Sequence, residues 1–285
     1  MNIVNPFAVL WHPDGDMKSH IVRCAKVCYK SDREVDVDKF IEARIKAGHL
    51  SILRHGTKYY RIPVPSYTEV IASRIYDIAL GKMRSFGNCN FCWHNDAMYV
   101  AANMQLTFEE KDFFDTLKEH EISEKEAKEI IFVKEEIFRY TFYLQTQIST
   151  SRELNRVSPN NILEESTRYV EEGSICRPWW CDDSYILNKP KMSRLRADYY
   201  ISCEEAFIDY KRLIKKGLDK QDARGVLPLD TCTHVVYTYS INEWRNIINK
   251  RYFGTTGAPH RNCIEIVGRI KKLLEEEGYE FKVKN

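Results

Sequence analysis

The sequence lacks a surplus of either charge. Its 43 lysines and arginines are met by 41 aspartates and glutamates, for a formal net charge of +2. That balance gives no broad field for a dedicated nucleic-acid binder, so any anion site must come from a local arginine cluster. Long apolar runs are missing too: no stretch approaches the roughly 18 residues a membrane span needs. The opening MNIVNPFAVLWHPDGD has neither the basic start nor the apolar core of a signal peptide. A cytoplasmic protein with no membrane or nucleic-acid partner is the expectation.

The familiar catalytic signatures are also absent. There is no G-x-G-x-x-G after a strand, no Walker loop, no H-E-x-x-H and no G-x-S-x-G elbow. An enzyme without these leaves its chemistry to a cofactor held by some other motif. Regular cysteine spacing is lacking as well. Nine cysteines, an odd number, suit reduced thiols better than a disulfide framework. Cys89 and Cys92 in GNCNFCWH have metal-ligand spacing, with Cys176, Cys181 and His94 as further candidates. Structural zinc needs four tetrahedral ligands, and the looser second pair argues for ordinary thiols and no metal.

What is present is a chain of 285 residues, 44% apolar, long enough for a sizeable core. It has no repeat and no convincing linker, so one domain over residues 1–285 is expected. Apolar spacing predicts helices over 18–29, with Ile21, Cys24, Ala25 and Cys28 on one side, and over 37–49, between Asp36 and Gly48. Residues 57–62 alternate as a strand before two prolines. Helices are read over 66–83, 95–106 and 122–148. In the last, Ser123 and Glu126 have capping-box spacing, and Ala127, Ile130, Ile131, Ile137 and Phe138 form a core stripe. A helix over 198–217, a strand over 230–240 and helices over 241–252 and 261–278 complete an α+β fold dominated by helices.

Residues 149–170 read STSRELNRVSPNNILEESTRYV, with three arginines and three glutamates, a helical start and a break at Pro159. A solvated face of ordinary ion pairs would explain the charge. So would a site that grips an anion with guanidinium forks. Other segments bear on the choice. In GHLSILRHGTKYY, His49, Ser51 and His55 flank a strand start, where histidines are more often structural. QDARGVLPL carries Arg224, and NEWRNIINKRYF carries Arg251.

Together these segments resemble the flavin-dependent thymidylate synthases. That family has a run of R-H-R, two residues, S, two more, then E-x-S-x-R-Y; here RVSPNNILEESTRY stands in its place. AKVCYKS at 25–31 resembles the family's first-helix signature, and GHLSILRH its G-H-x-S-x-x-E-H. ARGVLPL resembles A-R-x-V-L-P, and NEWRNIINKR the helix that ends in the substrate arginine. The blocks follow in the family's order over most of the chain.

The resemblance implies a helix-rich fold with a small, mostly antiparallel sheet. It implies reductive methylation of dUMP to dTMP, with carbon from methylenetetrahydrofolate and a hydride from FAD recharged by NADPH. Glu153, Arg156, Glu164, Glu165, Ser166, Thr167 and Arg168 would line the dUMP site. Arg224, from another subunit of a homotetramer, would clamp the phosphate. Arg251 would contact the uracil and stabilise its ionised form, which activates C5. Ser166 would bind rather than attack, since no histidine base accompanies it. The positions implied for FAD are Ser51, Arg156, Val157, Ser158, Glu164, Ser240, Asn242 and Asn246.

The departures gather at the flavin and folate positions. R-H-R has become Arg156-Val157-Ser158, and the motif's first serine is Asn161. Arg54 replaces the acid before His55, Ser240-Ile241-Asn242 replaces an N-x-R, and the usual A-Q pair is not evident in GAPHRNCIEI. A charge-assisted hydrogen bond to the flavin is worth about 1.5–3 kcal/mol, and Arg54, Lys58 and Arg61 are candidate replacements for the missing donors. The alternative is a paralogue that binds or modifies another pyrimidine nucleotide without FAD. Residues 61–145 are expected to be a helical insertion that covers the folate entrance, enlarges an interface or decorates the fold. Its Phe86, Phe91 and Trp93 would stack a ring or, more ordinarily, pack in the insertion's own core.

Overall fold

The computed structural model describes residues 1–13, 15–63, 69–80, 89–159, 161–187 and 189–282, leaving out the side chains of 69, 70, 79 and 80. Strands β1 (Asn2–Val4) and β2 (Phe7–Trp11) open the chain. Helix α1 (Met17–Val27) starts where the Asp16 carboxylate accepts from the Ser19 N–H at 3.1 Å. It buries Ile21, Cys24 and Ala25, with Cys28 packed beside them. Helix α2 (Val37–Lys46) is capped by Asp36 and followed by Gly48 at φ 74°, a left-handed turn that suits glycine.

A 3-10 helix, Leu50–His55, leads into β3 (Thr57–Pro63). Helix α3 (Glu69–Leu80) forms the middle of the helix expected over 66–83, whose outer residues lie outside the described ones. Strands β4 (Cys89–His94) and β5 (Ala97–Asn103), helices α4 (Met104–Glu109) and α5 (Lys111–Thr116), and strand β6 (Glu121–Ile122) come next. Two short helices, α6 (Glu124–Glu129) and α7 (Ile131–Glu136), precede β7 (Arg139–Gln147) and α8 (Ile148–Asn155). Strands β8 (Ile162–Glu164) and β9 (Ser174–Cys176) follow, then helices α9 (Asp183–Ile186), α10 (Pro190–Lys215) and α11 (Lys220–Ala223). Strand β10 (Cys232–Ser240) and helices α12 (Ile241–Arg251) and α13 (Arg261–Glu276) end the fold.

The class is α+β, as expected. The main sheet has the order β2-β7-β10-β8, a second sheet β4-β5-β3-β6, and β1 pairs with β9 apart from both. Every pairing is antiparallel except β1 with β9. One face of the main sheet, with Phe142, Leu144, Val235 and Tyr237, joins Trp244 of α12 and Ile266 of α13 in the largest apolar cluster. Its other face meets α1 and the 3-10 helix through Val236, Ile21 and Leu53. No helix of the described residues is long and apolar enough to cross a membrane.

Two expected helices are strands over part of their length. Residues 97–103 form β5, buried along its whole length between β3 and β4. A strand covered on both faces shows no alternation, so a short apolar run of this kind reads equally well as helix. The long helix expected over 122–148 breaks at Ile130, which is extended at φ −81°, ψ 109°. Beyond α7 the chain becomes β7, where Tyr, Thr and Phe suit a strand paired on both edges by β2 and β10. Ser123 does cap, accepting from Glu126 N at 3.1 Å. Ala127, Ile137 and Phe138 enter the core with Ile130 against them, but Ile131 is 77% exposed.

The span 61–145 is consequently not a helical block: it holds β4, β5, β6 and most of β7, one of the two inner strands of the main sheet. Phe86 lies outside the described residues. Phe91 packs against the second sheet's cluster, and Trp93 is 41% exposed with its indole N–H 3.4 Å from the Tyr76 hydroxyl. Cys89 and Cys92 sit in separate apolar clusters, and the described residues contain no group of three metal-ligating side chains.

Trp244 joins the main sheet to α12. It is 1% exposed, donates from Nε1 to the Tyr140 carbonyl at 3.1 Å, and meets the rings of Phe142 and Tyr239 at 4.9 and 5.1 Å. Trp244→Ala is expected to lower the unfolding free energy by about 3–5 kcal/mol, measured by urea denaturation. A decrease under about 1 kcal/mol would show that this side chain does not hold the core.

Candidate active site

The end of β7 turns directly into α8, and the start of β10 lies beside it, Cys232 opposite Gln147. On the other edge of β10, Glu164 of β8 pairs with Val235. Three segments distant in sequence thus meet at one end of the sheet. The Glu164 carboxylate is held there: Ser151 Oγ and Thr233 Oγ1 donate to one oxygen at 2.6 and 3.1 Å, and Asn155 Nδ2 lies 3.5 Å from the other. Asn155 is itself oriented by the Tyr237 hydroxyl at 2.7 Å.

Above this carboxylate opens a cavity of about 480 Å³, within the range of small-molecule sites. Helix α8 contributes Ser151 and Arg152, the segment after β8 contributes Glu165 and Thr167, and the turn after α11 contributes Arg224 and Leu227. Arg224 Nη1 donates to Thr167 Oγ1 at 2.6 Å, which fixes one guanidinium across the opening. Arg152 is exposed and forms no ion pair among the described residues. Two guanidinium groups facing one cavity favour a dianion with several acceptor oxygens.

Glu165 forms the buried wall. Lys30 Nζ donates to one of its oxygens at 3.0 Å, and His234 Nδ1 lies 2.5 Å from the other. Burial works to raise its pKa, but the hydrogen bonds from His234 and Lys30 outweigh that and hold the carboxyl below its ordinary range. His234 Nε2 faces Gln145 Oε1 at 2.9 Å, and the Gln145 amide donates in turn to the Asn5 carbonyl. Ser166 ties the segment to α1, its N–H donating to the Cys28 carbonyl at 3.0 Å.

The other expected nucleotide residues are distributed. Arg168 lies outside the cavity lining, with Nε 3.3 Å from Gln221 Oε1. Arg156 ends α8, exposed, and does not line the cavity. Arg251 and Glu153 meet each other instead: Arg251 Nε donates to the Glu153 carbonyl at 3.1 Å and lies 3.8 Å from its carboxylate. Aligning the motif's first arginine with Arg156 passes over Arg152, which lies one helical turn earlier. Ser151 and Thr233 carry no signal except their neighbours in space.

The positions expected for a flavin do not form a cradle within the described residues. Ser240 is wholly buried as the α12 cap, in a reciprocal box with Glu243. Val157 packs against the main core, and Ser158 is bonded to the Tyr239 hydroxyl. Asn242 and Asn246 are exposed on α12, with Asn242 accepting from Arg245 at 3.0 Å, while Ser51 is half-buried in the 3-10 helix. Glu164 alone of the set lines the cavity described above. His55 is fully buried, its Nδ1 2.8 Å from Thr238 Oγ1, and burial pushes its pKa well down.

The family model described as thymidylate synthase complementing protein matches residues 95–276. The chain belongs to this family. The match begins inside the span set apart as an insertion and includes β5, β7 and the whole cavity region. No curated protein matches. Among solved structures, the UMP/dUMP methylase PolB from Streptomyces cacaoi bound with 5-Br dUMP is 14% identical, with a TM-score of 0.46, over 97% of this chain and 93% of that one. The same methylase bound with 5-Br UMP gives the same identity and TM-score, over 97% and 92%.

Close to Glu165 is a second buried carboxyl, Glu172, 3% exposed. Its Oε1 has no hydrogen-bond partner among the described residues. Burial pushes it up to about 7 from 4.5, the Glu165 charge adds to the rise, and Lys30 opposes it. Because the folded value lies above the unfolded one, this carboxyl's contribution to stability is fully present below about pH 4.5 and is lost as pH rises towards 7. The decrease is roughly 3 kcal/mol at about 1.4 kcal/mol per pH unit. Glu172→Gln should therefore match the parent near pH 4.5 and be more stable by up to that amount near pH 8, read from denaturation across pH. Equal stability at both ends would show that the carboxyl is not buried alone.

Proposed function

We propose that the chain methylates C5 of the uracil in dUMP, as a divergent flavin-dependent thymidylate synthase. The observation that carries this is the convergence of Arg152 and Arg224 on one cavity walled by the glutamates of the E-x-S-x-R-Y motif. The family identity supplies the reaction class. Arg152 and Arg224 take the phosphate dianion, with Thr167 holding the Arg224 guanidinium in place. Glu164, pre-oriented by Ser151 and Thr233, offers an acceptor to a sugar hydroxyl or ring N–H. Ser166 binds and does not attack. Arg251, paired with Glu153 away from this cavity, serves a site completed between subunits of a homotetramer.

In the family's chemistry methylenetetrahydrofolate supplies the carbon, and reduced FAD, recharged by NADPH, supplies the hydride. The buried Ser240, the apolar Val157 and the Ser158–Tyr239 hydrogen bond favour a second reading. In it, a paralogue keeps the nucleotide cavity and binds or modifies a pyrimidine nucleotide without FAD.

Label release from C5 of dUMP, dependent on methylenetetrahydrofolate, tests the reaction. The spectrum of the purified protein with and without added FAD separates the two readings. A flavin absorbance envelope is expected, and a colourless protein that binds dUMP but cannot be reconstituted favours the paralogue. Arg152→Ala and Arg224→Ala should each weaken dUMP binding by about 10–100-fold, the effect of removing a charge-assisted hydrogen bond. Unchanged affinity in both would overturn the cavity assignment.

A further inference from the structure

Glu165 and Glu172 stand at the two ends of the segment that carries Thr167, and both are buried, 5% and 3% exposed. Between them the Ser166 N–H is tied to the Cys28 carbonyl, and the Tyr169 and Val170 N–H groups donate to the Ser166 carbonyl at 3.1 and 3.0 Å. The two carboxyls are served unequally. Lys30 and His234 each take one Glu165 oxygen. Glu172 forms no ion pair among the described residues, and its Oε1 has no hydrogen-bond partner there. The Tyr210 hydroxyl, which α10 brings against the Glu172 backbone, has none either. The charges that act on Glu172 are Glu165 and Lys30, while its neighbour Glu171 is exposed. Lys30 is thus shared. Its side chain is 52% exposed, and its φ of 49° is a left-handed conformation found disproportionately at functional sites.

Taking the cavity above Glu165 as the nucleotide site, we propose that Glu172 is a pH-sensitive switch on it: ionised, Glu172 draws Lys30 from Glu165 and loosens the segment that holds Thr167 against Arg224. Burial, with the Glu165 charge adding to it, pushes Glu172 up to about 7, so its charge changes at neutral pH. Below that value Glu172 is uncharged, Lys30 stays on Glu165, and Thr167 holds the Arg224 guanidinium across the opening. Above it two buried carboxylates compete for one ammonium, and Glu165 is left with His234. This effect lowers nucleotide affinity as pH rises through about 7. It opposes the gain that comes from the phosphate becoming a dianion.

Two measurements on the full chain, each comparing the parent with Glu172→Gln at about pH 5.5 and about pH 8.5, test the switch. In hydrogen exchange without nucleotide, the Ser166 and Val170 amides should match at the lower pH. At the higher pH they should exchange about fivefold faster in the parent. In titration calorimetry, dUMP should bind both proteins equally at the lower pH and the parent about fivefold more weakly at the higher. The nucleotide phosphate and His234 are common to both proteins and cancel in the ratio of parent to variant. Global stability does not enter the affinity of a folded protein, so the calorimetric ratio separates a switch from a merely structural carboxyl. An exchange ratio that is the same at both pH values would overturn the proposal, as would dUMP binding with a ratio that does not change. If exchange responds and dUMP binds neither protein, the nucleotide reading fails and the switch on the cavity wall stands.

Discussion

The antiparallel ladder between β7 and β10, from Arg139 opposite Ser240 to Gln147 opposite Cys232, is the constraint on which the rest of the molecule depends. It brings the start of α8 beside Thr233, and with β8 on the far edge of β10 it places Glu164 within reach of Ser151. A slip of β10 by one residue would exchange its two faces relative to β7. Val235 and Tyr237 would leave the main core, and His234 would leave the opposite surface beside Tyr143. Register, core and site are one arrangement.

The two ends of this ladder are used differently. At the Gln147 end the polar groups are open to a cavity and two arginines face it. At the Ser240 end they are closed inward. His20 Nε2 meets Thr141 Oγ1 at 3.1 Å, Thr141 meets Thr238 at 2.8 Å, and Thr238 meets His55 Nδ1 at 2.8 Å. Arg139 is buried there and donates to the carbonyls of Arg54 and Thr238 at 3.2 and 3.1 Å. These contacts satisfy the buried groups only in part, for His55 Nε2 has no hydrogen-bond partner among the described residues. Of the positions that the resemblance implies for a flavin, Ser240 lies at this closed end as the α12 cap and Ser158 reaches it through the Tyr239 hydroxyl, while Arg156, Asn242 and Asn246 are exposed.

Charge follows the same logic. A net charge of +2 says little about a molecule whose cations are placed singly. Lys30 neutralises the buried Glu165, while Arg152 and Arg224 are held at the rim of a cavity, where desolvation is modest and a dianion is within reach.

Much of this is legible in the sequence. Asp16 and Asp36 cap their helices, and the apolar spacings of α1, α12 and α13 reflect a surface buried on one side only, which periodicity records directly. The motif blocks identify the family, and Glu164, Glu165, Thr167 and Arg224 follow from motif position without any geometry. Strands β5 and β7 are not legible. Both are buried along most of their length, with side chains packed on both faces, so neither carries the alternation that marks a strand. Nor can sequence spacing choose between Arg152 and Arg156, one helical turn apart, or separate the Arg251–Glu153 pair from the cavity. The sequence by itself determined the family and the residue types at the site, because local spacing and motif order are properties of the chain. Only the tertiary structure decided which of those residues meet, because that depends on strand register and on which face of α8 turns towards β8.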